Sequence, residues 1–170
     1  MNKKNIDDFI EYLESHSIAP RSSLIGCTKE EVDKLERKYS PVFPSSYRSF
    51  LLNMGHKSGR LFSHDHFAIH YSYVLELTDS TREELTNTQS ENNVCLPADA
   101  FVILDRLGEQ FQFIRCNNRE DSPVWYLAEW EPEIKQTHSS VYDWLYDIAE
   151  EALEAINSGY YDTYPEGTTP

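Results

Sequence analysis

The chain has 170 residues, 39% apolar and 13% aromatic, with 15 Lys/Arg against 29 Asp/Glu for a formal net charge of −14. That is enough apolar chain for one domain with a real core, and the acid excess argues against a nucleic-acid binder, because neutralising phosphates needs Lys and Arg. No apolar run approaches a membrane span, and the N-terminus MNKKNIDDFIEYLE lacks the apolar stretch of a signal peptide, so the expectation is a cytoplasmic protein with no membrane contact.

Asn5 to Ser17 reads as a first helix, with Ile6, Phe9, Ile10 and Leu13 on one side. In GCTKEEVDKLERKY, Thr28 followed by Glu31 is a capping box, and Val32, Leu35 and Tyr39 form the apolar stripe. SPVFP breaks the chain. FPSSYRSFLLNMG, Phe43 to Gly55, then reads as a short helix with both ends marked. Pro44 suits its entrance, Ser45 or Ser46 caps it, and Tyr47, Phe50, Leu51 and Met54 share one face. Gly55 is expected to end it in the left-handed conformation.

HKSGRLF is a turn into a short extended piece. Residues 72–89 begin strand-like in YVLEL and continue helix-like in DSTREELTNTQ, and the whole is read as helix. AFVILDRLGEQFQFIRC reads as strand, turn and strand, with Gly108 in the turn, and SPVWYLAEW as a third strand. SSVYDWLYDIAEEALEAI is a long helix whose stripe runs Val141, Trp144, Leu145, Ile148, Ala149, Ala152, Leu153 and Ile156, closed by Gly159. The sum is an α+β domain over residues 1–158. Its central sheet is mostly antiparallel, with N-terminal helices and a long C-terminal helix packed around it. A Tyr/Pro/Gly/Thr tail, 159–170, is expected to be partly flexible.

The chain carries no phosphate loop, dinucleotide fingerprint or nucleophile elbow. Cys27, Cys95 and Cys116 are odd in number and far apart, which suits reduced, mostly buried thiols better than disulfides or a zinc site. In SHDHFAIH, His64, His66 and His70 would face one side of a regular strand, and three histidines can hold Zn²⁺. The pattern is too common in polar loops to count as a site. The expectation is therefore no enzyme activity, no metal and no cofactor.

The order of these elements and their residues resembles the SUKH superfamily, whose members include a yeast regulator of cell-wall synthesis and many bacterial immunity proteins. Glu30, Glu31, Leu35 and Glu36 match its first signature helix, Phe43-Pro44 its Leu-Pro step, and Tyr47, Phe50 and Leu51 its second helix. Its closing Asn-Gly pair is altered, because Met54 separates Asn53 from Gly55. FVILDRLGEQFQFIRC, SPVWYLAEWEP and SSVYDWL are similar to its later strands and closing helix, so the likeness spans roughly residues 25–148.

The resemblance implies a non-enzymatic immunity protein that binds and neutralises a bacterial toxin, often a nuclease. It implies as the alternative a regulatory or scaffolding module without a toxin partner. A small His-metal enzyme is the third reading. Charge supports the first independently. Residues 1–62 hold ten Lys/Arg and eight Asp/Glu, whereas residues 63–170 hold five and 21, a net of −16. Such a half-chain attracts a basic partner, as a nuclease domain tends to be. The candidate contact residues are Trp125, Tyr126, Glu129, Trp130, Glu131, Glu133, Asp143 and Asp147: aromatic anchors within a run, Glu129 to Glu154, of eight acids and one Lys. Trp125 and Tyr126 point to opposite faces of a strand, so at least one belongs to the core. The acidic stretch Glu76 to Glu91 is the next candidate.

Overall fold

A computed structural model of the chain describes residues 4–39, 42–87, 94–117 and 120–165. Residues 40–41 of the expected chain break, 88–89 of the fourth expected helix, 91 of the alternative acidic stretch and 166–170 of the tail lie outside the described residues.

Helix α1 (Ile6–Ser15) starts where the Asn5 side chain accepts the Asp7 and Asp8 N–H groups, each at 3.0 Å, and it buries Phe9, Ile10 and Leu13. Helix α2 (Lys29–Tyr39) has the expected capping box: Thr28 N–H donates to Glu31 at 2.8 Å and Glu31 N–H to Thr28 Oγ1 at 3.2 Å. Helix α3 (Ser45–Met54) buries Tyr47, Phe50, Leu51 and Met54 on one face, as its spacing requires.

The ends of α3 differ from the local reading. No side chain caps it, and the Ser46 hydroxyl donates instead to Asp121 Oδ1, 2.6 Å away and 75 residues on. Gly55 is right-handed, with φ −67°. Room, not handedness, calls for glycine there: a Cβ would stand 2.4 Å from Cys27 Sγ and 2.6 Å from Leu51 O.

Strands β1 (Leu24–Ile25) and β2 (Lys57–Ser58) form a small antiparallel sheet against this helix end. The main sheet is antiparallel throughout, in the order β3 (Phe67–Ala68), β4 (Ala100–Arg106), β5 (Gln110–Arg115), β6 (Val124–Ala128), β7 (Lys135–His138). Register pairs Leu104 with Gln112 and Gln112 with Tyr126, which therefore share a face. Asp105, Phe111, Phe113, Trp125 and Leu127 share the other.

Helix α5 (Val141–Asn157) lies on the Gln112 face, where Trp144 Nε1 donates to Gln112 Oε1 at 2.6 Å. Phe50 and Phe62 meet the Trp144 ring, and Phe43 and Tyr47 meet Phe101, so one aromatic cluster joins α3, α5 and the sheet. Helix α4 (Tyr71–Asn87) follows the edge of β4 that the two-residue β3 leaves open. Val102 N–H donates to Thr78 Oγ1 at 2.9 Å, and the Arg82 guanidinium donates to the carbonyls of Leu96, Pro97 and Ala98. The edge is thereby closed to strand addition. Past α5, α6 (Tyr160–Thr163) docks through buried Tyr161, whose ring stacks under Arg60.

Candidate partner-binding surface

The β4–β5 turn breaks a rule of turn chemistry. Glu109 N–H donates to Arg106 O at 3.3 Å, and the two central residues are both left-handed, Leu107 at φ 60° and Gly108 at φ 72°. Glycine takes that conformation freely, but a leucine pays roughly 1–2 kcal/mol for it. Leu107 gains nothing in return from the core, since its side chain is 56% exposed. The turn therefore holds an exposed apolar side chain on a left-handed backbone.

The chain leaving β6 passes beside this turn, with Glu129 N–H donating to Glu109 O at 3.3 Å. Next comes Trp130, 54% exposed. Two large apolar tips thus stand at the same end of the sheet. Glu109, Glu129, Glu131 and Glu133 come from the same two connections. Glu84 joins them from α4: burial first, then the charges of Glu129 and Asp105, push its carboxyl above the usual range. The nearby cations are engaged, Lys135 with Glu131 at 2.5 Å and Arg106 with Asp65 at 2.8 Å. Like charges held together cost free energy that a basic partner would relieve.

The eight residues expected as a contact face do not form one surface. Glu129, Trp130, Glu131 and Glu133 lie together in the β6–β7 connection. Trp125 is half-buried on the Phe113 face, and its indole N–H is enclosed without a partner among the described residues. Tyr126 lies on the opposite face, lining a cavity of about 210 Å³ with Asp65, Arg106, Gln112 and Glu151. Asp143 and Asp147 flank the far end of β7, and each already has a side-chain partner. Lys4 and Ser139 hold Asp143 and depress its carboxyl, and His138 stands 3.0 Å from Asp147. Sequence reading missed Leu107. Its signal was a leucine where a hairpin turn ending in glycine favours Asn or Asp.

The three histidines of SHDHFAIH do not converge either, because most of that segment is turn and only Phe67–Ala68 is extended. His64 faces Glu151 at 3.4 Å, His66 is exposed, and burial pulls the His70 pKa down beside Ser58.

If Leu107 is strained, Leu107→Asn should raise stability by about 1 kcal/mol in urea denaturation. An unchanged or lower midpoint would mean that the leucine earns its place within the fold.

No curated protein sequence matches the chain. The model of the SMI1 / KNR4 family (SUKH-1) matches residues 26–147, from the loop before α2 into the second turn of α5. That span covers the capping box, the aromatic face of α3 and all five strands of the main sheet. Members are associated with toxin immunity and related regulation, generally without enzyme activity. The match runs through most of the folded core, and the chain belongs to the SMI1 / KNR4 (SUKH-1) family.

Proposed function

We propose that this protein is a bacterial immunity protein that binds a basic toxin domain of the nuclease class and neutralises it by contact in the cytoplasm. The observation that supports this most is the acidic rim, Glu84, Glu109, Glu129, Glu131 and Glu133, around the exposed tips Leu107 and Trp130. Aromatic and aliphatic anchors within a charged rim are the usual anatomy of a tight interface. A nuclease surface evolved to hold phosphates presents Lys and Arg, which such a rim complements. The −16 carried by residues 63–170 adds long-range attraction that speeds encounter. The contact residues of this reading are Leu107, Trp130 and the five glutamates.

The test is association kinetics with a basic nuclease-toxin domain. Reversing Glu129, Glu131 and Glu133 to Lys should slow association at low salt by roughly tenfold or more and flatten its salt dependence, with folding intact. An unchanged rate would move the site to another face.

A further inference from the structure

Cys27, Glu31 and His56 come from three points of the chain that main-chain bonds hold in place. Cys27 N–H donates to Leu51 O and His56 N–H to Ile25 O, each at 2.8 Å. Glu31 is fixed in the first turn of α2 by the capping box. One donor atom from each residue, a sulfur, a carboxylate oxygen and an imidazole nitrogen, lies within 4.8 Å of the other two. No other group of three or more His, Cys, Asp or Glu meets that condition among the described residues. The sulfur is buried, whereas the Glu31 and His56 side chains are 31% and 36% exposed, so the group opens to solvent on one side. The missing side chain of Gly55 leaves the space that Sγ occupies.

We propose that Cys27, Glu31 and His56 form a binding site for a divalent cation of the zinc class, with a fourth position open to solvent. The donor set chooses the metal. Thiolate and imidazole suit Zn²⁺ and Co²⁺, while Mg²⁺ and Ca²⁺ require oxygen ligands throughout. The three donor atoms, all within 4.8 Å of one another, are close enough to converge on one ion. With bonds of about 2.0–2.3 Å in a tetrahedron, neighbouring donors stand roughly 3.3–3.8 Å apart. His56 Nε2 and Glu31 Oε2 now touch at 2.9 Å, so they must part slightly as the cation enters. Side-chain rotation supplies that movement, because the backbone at all three positions is already tied. On binding, the Cys27 thiol gives its proton to solvent and the thiolate bonds the metal, while the proton that His56 Nε2 donates to Glu31 moves through solvent to Nδ1 so that Nε2 can ligate. The capping bond from Thr28 N–H uses one carboxylate lone pair and leaves others for the cation. This site lies apart from the acidic rim and does not rest on the toxin reading.

The experiment is titration of the reduced full-length protein with Co²⁺, followed by Zn²⁺ competition. The expected result is one equivalent of Co²⁺ with a near-ultraviolet thiolate-to-cobalt band that Zn²⁺ removes. Cys27→Ser should abolish the band, and His56→Ala should weaken Zn²⁺ binding by about 100-fold or more, the upper end of what even an outer-shell loss costs. His66→Ala should leave binding unchanged. The absence of a band in the unmutated protein, which needs no variant to fold, would overturn the proposal. So would a band that survives Cys27→Ser, or zinc affinity indifferent to His56→Ala, a substitution at a partly exposed residue.

Discussion

Trp144→Ala should destabilise the protein by about 3–5 kcal/mol, the range for removing a large buried aromatic side chain. Trp144 is 0% exposed, and its ring meets Phe50 and Phe62 at centroid distances of 6.3 and 5.8 Å. Alanine empties the junction between α3, α5 and the sheet. It also strips the Gln112 side chain of the donor now 2.6 Å away. Trp144→Phe separates the two effects. It keeps a ring in the site but loses the N–H and part of the indole volume, so its cost should fall nearer about 1–3 kcal/mol, the scale of leaving a part-buried acceptor unpaired. Chemical denaturation measures both. A loss below about 0.5 kcal/mol for the alanine variant, the scale of a surface change, would mean that α5 does not pack through this side chain.

Gly26→Ala should be comparably severe, at about 3 kcal/mol or more, the upper end of the cost of forcing extra atoms into a packed site. A Cβ there would stand 1.8 Å from Leu52 O and 2.4 Å from Leu52 C. These are main-chain atoms of α3, which cannot swing aside as a long side chain can. The bonds from Cys27 N–H to Leu51 O and from His56 N–H to Ile25 O hold the two segments at that separation. Relief would require breaking them. The control is Gly108→Ala, where nothing lies within 4 Å and only the left-handed backbone opposes the substitution. Its cost should be the smaller, roughly 1–2 kcal/mol. A melting temperature for Gly26→Ala close to that of the unmutated protein would show that α3 and the β1–α2 loop are not in contact as described.

The elements legible in the sequence are those whose signal is local. The α5 stripe, the Thr28/Glu31 box and the β4–β5 hairpin each carry their periodicity or capping partner within a few residues. Helix α4 is legible in kind through DSTREELTNTQ, although YVLEL taken alone reads as strand; the two form one helix, Tyr71–Asn87. What was not legible depends on distant partners. β7 is KQTH, with no apolar alternation, and is a strand only because β6 supplies its pairing. β1, β2 and β3 are two residues each and have no sequence signature. Ser46 looked like a cap because Asp121, which takes its hydroxyl, is invisible from Ser46 along the chain.

The candidate surface divides in the same way. Glu129, Trp130, Glu131 and Glu133 are neighbours in sequence and remain neighbours in space. Trp125 separates from them because strand alternation turns it to the other face, and Asp143 because Lys4, 139 residues away, engages it. Cys27 and Glu31 show a one-turn spacing, but His56 joins them only after α3 has folded back on β1.

Titrating toxin activity against this protein tests the central claim most directly. The toxin to test is a basic nuclease domain, sought first at the C-terminus of any secreted protein encoded beside the gene. If the chain neutralises it by contact, activity should fall linearly and vanish at one equivalent, as expected for a stoichiometric complex far tighter than the working concentration. Toxin released from the complex by denaturation and refolding should be chemically unaltered and fully active. Toxin activity undiminished by an excess of the protein would contradict the account and favour a regulatory or scaffolding module, and inactivation by far less than one equivalent would reveal catalysis.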